Sequence, residues 1–239
     1  LFVLPILAFL FTMLLEDYPL HMELTLRHIR DCLNARGVLG LKNSLLLSAG
    51  TALGGTVIAA FAAYAAARHR GSLARSVHLL STLTLSIPGL VLGLAYVLAF
   101  KRTALYETMG ILIFSSIIHF FTTPYLMLYQ TFGKLNANLE GTGLVLGVPP
   151  FRLFANVFLP QCAETLLDMF SYFFLNAMVT ISAVSFLATA QTRPLSMLVT
   201  QYSDQINPEG AAVLSFFILT INLLVRGIVF LLKHLLCTP

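Results

Sequence analysis

The sequence predicts an all-helical integral membrane protein with about six membrane-spanning helices, and three observations lead to this fold class. Apolar residues make up 58% of the 239 residues and charged residues only 10%, whereas soluble domains average about 45–50% and about 25%. The apolar residues are collected in long blocks, as membrane spans require. Nearly every Asp and Glu lies in or near a segment that connects two blocks. A chain of this composition cannot cover a water-facing surface with charge.

Each apolar block is predicted to cross the membrane as a helix, because lipid cannot satisfy open backbone groups. Every block after the first is long enough to cross, and the first, shorter than the roughly 20 residues of a full span, is predicted to be a truncated span. Pro88 should kink the third helix. Together the six blocks form a single domain over residues 1–239. They are residues 1–15, 43–67, 77–100, 108–129, 165–189 and 210–232.

The connecting segments differ in length. Residues 190–208 are polar and are predicted to be a loop, because Pro194 and Pro208 are breakers of regular structure. The Lys and Arg residues divide equally between the two sides of the membrane, so charge gives no orientation. The other connections are the short segments 68–76 and 101–107 and the long segments 16–42 and 130–164.

Motifs for nucleotide binding and for hydrolytic chemistry are missing from the sequence. The phosphate-binding pattern G-x-x-x-x-G-K-[ST] does not occur, because Gly133–Lys134 has neither the upstream glycine nor the following Ser or Thr. HExxH and G-x-S-x-G do not occur either. Cys32, Cys162 and Cys237 have the spacing of neither a disulfide framework nor a zinc site. We therefore expect a protein that is not an enzyme and that binds no metal, cofactor or nucleic acid itself.

Residues 130–164 are the most informative connecting segment. Gly147 stands where a left-handed helix C-cap is expected, and the following Pro149–Pro150 forbids continuation of that helix. Pro150 suits the first position of a second helix, and Pro160 should end it. The first helix has one face at the spacing i, i+4, i+7 and i+11, formed by Leu135, Leu139, Thr142 and Leu146. The segment is thus predicted to be a helix–turn–helix between the fourth and fifth spans.

The helix–turn–helix has two interpretations, and the residues alone favour neither: it docks on a soluble partner, or it packs only on its own bundle. A resemblance favours docking. Glu140, Gly147, Val157, Leu159 and Pro160 resemble the cytoplasmic signature of binding-protein-dependent (type I) ABC importer permeases, written EAA, then Gly, then I-x-LP. Val157 and Pro160 follow Gly147 by ten and thirteen residues, as in that signature. The resemblance covers nearly the whole chain.

The sequence departs from that signature at its start. Gly141, Thr142 and Gly143 occupy the positions of Glu-Ala-Ala, and Glu140 lies one position earlier. Two glycines cost a helix about 1 kcal/mol each relative to alanine, so this helix is expected to be weak until a partner binds. The residues that the resemblance assigns to ATPase coupling are Leu139, Glu140, Gly141, Thr142, Gly143, Gly147, Pro150, Val157, Leu159 and Pro160.

The resemblance also implies partners and a location. It implies a multi-pass protein of the bacterial inner membrane, surrounded by lipid, whose loop 135–160 contacts a cytoplasmic ABC ATPase dimer that binds the ATP. A second permease half, fused or separate, completes the pore. A periplasmic substrate-binding protein meets residues 16–42, 101–107 and 190–208 on the opposite side. ATP then drives alternating access through the loop.

Four stretches carry a finer resemblance. Residues 86–100, 119–126, 176–187 and 207–217 are similar to permeases of the 2-aminoethylphosphonate and ferric iron importers. The stretch 176–187, NAMVTISAVSFL, is more similar to the aminoethylphosphonate branch, so that solute is the first prediction. Ferric iron, another small anion or a polyamine is the alternative.

Polar side chains inside the apolar blocks are candidates for a solute path, because such groups are costly in a membrane and often functional. His119 either lies near an anionic group of the solute or bonds a neighbouring helix. Asn176 and Thr180 share one face of a helix and either line the path or bond other helices. These alternatives stay open. The full set of candidates is Ser115, His119, Asn176, Thr180, Ser182 and Ser185.

An ATP-independent secondary transporter or channel is the rival class of function. Such folds often have inverted repeats and carboxylates near the membrane midplane. This sequence has no evident internal repeat, and Asp168, near the start of the fifth block, is the one carboxylate inside an apolar block. The importer class is therefore preferred.

Overall fold

The computed structural model describes residues 3–17, 21–33, 35–69, 71–205 and 207–237. Helices account for most of these residues, which confirms the all-α class, and one short antiparallel β-hairpin is added to them. Cys237 ends the last helix, and its side chain lies outside the described residues.

The first half of the chain contains the hairpin and seven helices among its described residues. The hairpin pairs Leu15 with Leu24 and occupies part of the long connection 16–42. Another part of that connection begins the third helix, which therefore starts eight residues before the predicted apolar block. The elements are α1 (Val3–Leu14), β1 (Leu15–Asp17), β2 (His21–Leu24), α2 (Arg27–Cys32), α3 (Ala35–Arg68), α4 (Ser72–Leu83), α5 (Gly89–Phe100), α6 (Met109–His119) and α7 (Thr122–Lys134).

The second half contains a helix–turn–helix between two long helices. Its second arm includes a π-helical turn, Phe154–Phe158. We call residues 139–161 the helical hairpin. The elements are α8 (Leu139–Val145), α9 (Pro150–Leu153), α10 (Leu159–Gln161), α11 (Ala163–Val179), α12 (Leu195–Asp204) and α13 (Pro208–Cys237).

The described residues contain two to four candidate membrane spans. By length and composition, α3 over residues 36–68 and α13 over residues 208–235 each suffice alone. The pairs α4 with α5 and α6 with α7 suffice only together, and they are bent by 112° and 54°. α1 and α11, with 12 and 17 residues, are shorter than the roughly 20 residues of a straight span. The count of six spans stays a prediction.

The third predicted span is the most strongly broken. α4 runs into a 3₁₀ turn, Thr84–Ser86, and α5 begins only after Pro88. Proline disfavours helical backbone at the residue before it, so the kink predicted at Pro88 is a break of 112°. The Thr122 side chain of α7 makes hydrogen bonds to residues at this break. Its hydroxyl lies 2.7 Å from that of Thr84 and donates to the Ser81 carbonyl at 2.8 Å.

The fifth predicted span is wrong in its second half, and so is the loop predicted after it. α11 ends at Val179, and residues 180–194, which we call the irregular segment, run as turns and extended backbone. Pro194 is the N-cap residue of α12, so the predicted loop 190–208 holds a helix of ten residues. Residues 180–189 form irregular backbone whose polar groups can be hydrogen-bonded by other parts of the protein. An apolar sequence is compatible with such backbone as well as with a helix, so the apolar block did not distinguish the two.

Two side chains of α3 hydrogen-bond the end of the irregular segment and the start of α12. Asn43 Nδ2 donates to the carbonyls of Gln191 and Arg193 at 2.7 and 3.1 Å. The Leu195 N–H donates to Ser44 Oγ at 2.7 Å. Buried backbone groups need such partners, and Asn43 and Ser44, at the start of the second apolar block, provide them.

α3 is the central helix of the bundle and packs on α6, α7 and α11. Its contact face is made of small residues, and Ala52, Ala59 and Ala63 are fully buried. Small residues let helix backbones approach closely. At Gly55 the approach is so close that an added Cβ would lie 2.8 Å from the Phe173 ring of α11.

An ionic contact ties the last helix to the start of α11. Lys233 Nζ lies 2.6 Å from Asp168 Oδ2 and 3.5 Å from Glu164 Oε1. The two carboxylates are four residues apart and therefore share one face of α11. Asp168, the carboxylate inside the fifth apolar block, thus forms an ion pair with another helix of the same chain.

Candidate functional site

The turn of the helical hairpin has the cap geometry predicted from Gly147. Its φ of +68° lies in the left-handed region that favours glycine. The Val148 N–H donates to the Gly143 carbonyl at 2.8 Å, and the Gly147 N–H donates to the Leu144 carbonyl at 3.1 Å. These are the two hydrogen bonds of a Schellman motif, so the sharp turn between the arms is a property of the local sequence.

The second arm is longer than predicted. Pro150 occupies the first turn of α9, as predicted. Pro160 was expected to end the arm, but it lies inside α10, which continues to Gln161. Helical backbone continues through both junctions of the π-helical turn and ends at Gln161, one residue after Pro160. The arm therefore ends within one residue of the predicted position, and Cys162 interrupts the helix before α11.

Arg68, the last residue of α3, binds the first arm of the hairpin. Its Nε and Nη2 atoms donate to the two carboxylate oxygens of Glu140 at 2.6 and 2.5 Å. Nη1 donates to the carbonyls of Phe132 and Leu135 at 3.2 and 3.1 Å, and Nη2 also donates to that of Asn136 at 2.7 Å. All five N–H donors of the guanidinium therefore have an acceptor.

This ion pair is partly removed from water. The side chain of Arg68 is 6% exposed and that of Glu140 is 32% exposed, and the guanidinium lies 5.1 Å from the centroid of the Phe158 ring, a cation–π contact. The hydrogen bonds from Arg68 hold the pKa of the Glu140 carboxyl below its ordinary value, although partial burial acts in the opposite direction. Glu140 is thus charged at neutral pH and fixed on α3.

Aromatic rings pack the second arm against the same end of α3. The centroid of the Tyr64 ring lies 4.8 Å from that of Phe154 and 5.3 Å from that of Phe158. The Phe132 ring of α7 is 5.9 Å from Phe158 and nearly perpendicular to it, an edge-to-face geometry that stabilises aromatic pairs. Both arms of the hairpin are therefore held on α3 and α7, one by charge and the other by rings.

The outer face of the hairpin is apolar and exposed. The exposed fractions are 81% for Leu144, 87% for Val145 and 72% for both Leu146 and Phe151. Next to them Gly147 and Gly141 have no atom within 4 Å of the position that a Cβ would take. A contiguous exposed apolar patch commonly marks a surface of interaction. We call these four apolar residues the outer patch.

The ten residues predicted for coupling divide by the direction in which they face. Glu140 is held by Arg68, and Gly143 fits closely against Leu153, which lies 3.1 Å from the position of its missing Cβ. Those that pack inward are Leu139, Gly143, Val157 and Leu159. Those that are exposed are Gly141, Thr142, Gly147, Pro150 and Pro160.

Three of the residues predicted for a solute path lie together. A Cβ added to Gly89 at the start of α5 would lie 2.9 Å from His119 Cε1 and closer still to Ser182 Oγ. Ser115, one turn before His119 on α6, donates to the Ala183 carbonyl at 3.2 Å. The Nδ1 atom of His119 is buried and has no hydrogen-bond partner among the described residues.

The other three residues bond within the chain. Asn176 Nδ2 donates to the Tyr172 carbonyl of its own helix at 2.8 Å. The Thr180 carbonyl accepts a hydrogen bond from Ser196 at 2.6 Å, and Ser185 Oγ donates to the Ser182 carbonyl at 3.1 Å. The six candidates therefore do not form one continuous lining.

Sequence reasoning missed the residues that hold the hairpin and the irregular segment. Arg68 appears in the sequence as one of several basic residues in a short connection, and nothing in its spacing from Glu140 indicates a pair. Asn43 and Ser44 appear only as the polar start of an apolar block. The sequence shows that these residues are polar and lie at the edges of apolar blocks, but it does not identify the groups to which they bond.

Two of the three cysteines have described side chains, and neither of these two forms a disulfide. Cys32 and Cys162 are buried free thiols, and Cys32 Sγ lies 3.7 Å from the Gly210 carbonyl. No three His, Cys, Asp or Glu side chains come together as a metal site in the part of the chain that the structure describes.

Fold and hairpin together define a class: a multi-pass helical membrane protein that presents an ordered hairpin with an apolar face at one end of its bundle. Comparison with known proteins identifies the family within this class. The family of binding-protein-dependent transport system inner membrane components matches residues 43–236. The chain belongs to this family.

Individual relatives transport different solutes. An Fe(3+)-transport system permease protein of Haemophilus influenzae is 28% identical over 194 residues, which is 80% of this chain and 38% of the relative. A homologue of the spermidine/putrescine transport permease from Mycoplasma genitalium is 29% identical over 124 residues, which is 50% of this chain and 44% of the relative. The chain thus spans less than half the length of these two curated relatives.

The fold is similar to that of a bacterial alginate ABC transporter. The crystal structure of that transporter, in complex with an alginate pentasaccharide-bound periplasmic protein, aligns with a TM-score of 0.75 at 13% identity, over 96% of this chain and 86% of the other. At this identity the match shows a shared fold.

Proposed function

We propose that this chain is the permease domain of an ATP-driven importer of the bacterial inner membrane and that the helical hairpin couples it to a cytoplasmic ABC ATPase dimer. The observation that carries this proposal is the arrangement of the hairpin: its inner side is fixed on α3 by Arg68 and Glu140, while its outer patch is exposed. A rigid, anchored apolar surface is suited to receive a partner and to pass its movement to α3.

The remaining partners follow from the family and the fold. A second permease half completes the pore, because one such bundle does not supply both walls. We expect a solute-loaded periplasmic protein to bind at the opposite end, at residues 16–42, 101–107 and 190–208. The similarity to a transporter crystallised with a periplasmic protein supports this arrangement. ATP is bound by the ATPase partner.

Two solutes are proposed. Similarity to ferric transport permeases supports ferric iron, and the resemblance of residues 176–187 supports 2-aminoethylphosphonate. Calorimetric titration of the periplasmic binding protein encoded beside this gene, first with chelated ferric iron and then with 2-aminoethylphosphonate, decides between them. Tight binding of a polyamine instead would point to the polyamine branch.

The contact between α5, α6 and the irregular segment is the proposed part of the solute path in this chain. His119 and Ser182 pack there against Gly89, Ser115 bonds the neighbouring Ala183 carbonyl, and the unpartnered Nδ1 of His119 supports this role. His119→Ala should raise the KM for uptake without a comparable loss of protein. Asn176→Ala is the comparison variant, because Asn176 bonds its own helix; an unchanged KM in His119→Ala would remove His119 from the path.

Gly147→Asp tests the docking role of the hairpin. A Cβ at Gly147 meets open space, so the variant is expected to fold, while its carboxylate faces the surface of the partner. In the reconstituted transporter with ATPase and binding protein, we expect the stimulated ATPase rate to fall about tenfold or more, which corresponds to a lost contact of about 1.4 kcal/mol.

Gly133→Asp is the matched control, because Gly133 also faces open space but lies on α7 outside the hairpin. Full stimulated ATPase activity in Gly147→Asp would remove the docking role. The same preparation addresses the rival class, because a secondary transporter or channel would move solute in the absence of ATP.

A further inference from the structure

A second pocket lies beside the hairpin, where α3 ends and α4 begins. Its volume is about 480 Å³, and the residues that line it include His69, Arg75 and His78 together with Gly71 and Tyr129. None of the described residues that line it is Asp or Glu. The side chains of this pocket therefore offer only positive or neutral groups.

The start of α4 adds donors to this pocket. α4 begins after Gly71 with no side chain capping its N-terminus and no acidic residue in its first turn. The first N–H groups of a helix have no acceptor within the helix and carry partial positive charge, and they commonly bind phosphate. Gly71, Arg75 and His78 are spaced i, i+4 and i+7, so they lie on the face of α4 that lines the pocket.

The two histidines are positioned by neighbouring rings. His78 Nδ1 lies 2.8 Å from the Tyr125 hydroxyl, and when that hydroxyl donates, the ring proton is on Nε2, which remains a donor. His69 lies edge-on to Tyr64, with centroids 5.5 Å apart. The nearby carboxylate of Glu140 is bonded by Arg68 and also attracts His69, whereas Arg75 has no ion pair among the described residues.

An apolar surface continues from the pocket along α4. Leu73, Leu79, Leu80 and Leu83 are all more than half exposed. A basic site at the end of a helix with apolar side chains below it matches a phospholipid, whose phosphate lies at the membrane surface and whose acyl chains lie deeper. We propose that this pocket binds a phosphate group, supplied either by an anionic phospholipid headgroup or by free phosphate.

The site has a route to the hairpin. His69 lines this pocket and also the pocket of about 300 Å³ under the hairpin, which Tyr64 and Glu140 line as well. Arg68, which holds Glu140, is the residue before His69. Occupancy of the phosphate site is therefore expected to order the end of α3 to which the hairpin is bound.

Binding to the purified full-length membrane protein tests the proposal. The protein is placed in nanodiscs of phosphatidylcholine with or without phosphatidylglycerol, and retained phosphatidylglycerol is counted by native mass spectrometry. Arg75→Gln should lower retention about fivefold or more, the effect of one basic residue at an anionic membrane surface. Arg152→Gln is the matched control, because Arg152 is exposed on the hairpin and does not line the pocket, and it should retain lipid as the wild type does.

A second arm identifies the source of the phosphate. In phosphatidylcholine nanodiscs, inorganic phosphate is added and the shift in thermal unfolding is recorded. A shift that Arg75→Gln abolishes assigns the site to free phosphate, and retention of phosphatidylglycerol without any shift assigns it to lipid. If Arg75→Gln equals the wild type in both arms, the site does not exist. None of these readouts requires transport, so failure here leaves the importer proposal unaffected.

Discussion

The helical hairpin and the irregular segment are both held by α3, but different chemistry holds them at its two ends. At the C-terminal end of the helix a single charged residue, Arg68, supplies five hydrogen bonds to the hairpin and its approach. At the N-terminal end Asn43 and Ser44 hold the irregular segment and the start of α12 by neutral hydrogen bonds. The first arm of the hairpin is held by one ion pair and the second arm by aromatic rings, whereas the irregular segment is held by neutral hydrogen bonds from separate residues.

The largest effect is expected for Arg68→Met. The variant keeps most of the side-chain volume but removes the hydrogen bonds that Arg68 donates to the Glu140 carboxylate and to three carbonyls. Loss of one partner of a buried pair costs about 3 kcal/mol or more, and we expect a loss of this size in the free energy of unfolding, measured by thermal or denaturant unfolding in detergent. Arg152→Met, at an exposed position of the hairpin, should stay within about 0.5 kcal/mol. Equal stabilities of the two variants would contradict the role of Arg68.

A smaller effect is expected for Asn43→Ala at the other end of α3. Two hydrogen bonds, to the carbonyls of Gln191 and Arg193, are lost at about 1 kcal/mol each, so the free energy of unfolding should fall by about 2 kcal/mol. Asn138→Ala is the matched control, because Asn138 is exposed and its side chain makes no capping bond. Protease accessibility should rise in residues 180–194 and not in the hairpin; a rise in the hairpin instead would show that the two regions are not independent.

Gly147→Ala should cost about 1 kcal/mol, because a residue with a Cβ is strained in the left-handed region while its methyl group meets open space. Gly147→Asn should cost less, since asparagine tolerates this conformation better. Unfolding of the two variants side by side separates backbone strain from loss of docking. Identical values for both, equal to the wild type, would show that the turn conformation is not under strain.

Acidification should have the smallest effect on stability, and that effect should arise in the helical hairpin rather than in the irregular segment. The pKa of Glu140 is lowered in the folded protein from its ordinary value of 4.5, so its contribution to stability is fully present above that value and is lost as the pH falls through the lowered pKa. Glu140→Gln should show a weaker loss of stability in acid than the wild type, whereas Asn43→Ala should retain the full acid dependence. The measurement is the unfolding temperature as a function of pH, and parallel curves for wild type and Glu140→Gln would refute the assignment.

Local backbone constraints made the hairpin predictable. Gly147, Pro150 and Pro88 each restrict the conformation at their own position, so the cap, the second helix and the broken third span follow from single residues. The π-helical turn in front of Pro160 was not predicted, and the arm ends one residue after that proline.

Contacts between distant residues made the rest unpredictable. The pair of Arg68 and Glu140 spans 72 residues, and composition does not reveal it. Just beyond the end of α11 at Val179, the Thr180 carbonyl accepts from Ser196 and the Ala183 carbonyl from Ser115, 16 and 68 residues away in the chain. The span predicted at 165–189 is therefore helical only as far as Val179.

The ion pair of Lys233 with Asp168 has a mechanical consequence. Only Cys162 separates α10 from α11, so under the proposed docking role an axial displacement of the second arm is expected to move α11. Because Asp168 lies in the second turn of α11 and is joined to Lys233, the same displacement is expected to reach α13. Two helices of the bundle are then expected to respond together to a force applied at the outer patch, over a distance set by the stiffness of helices.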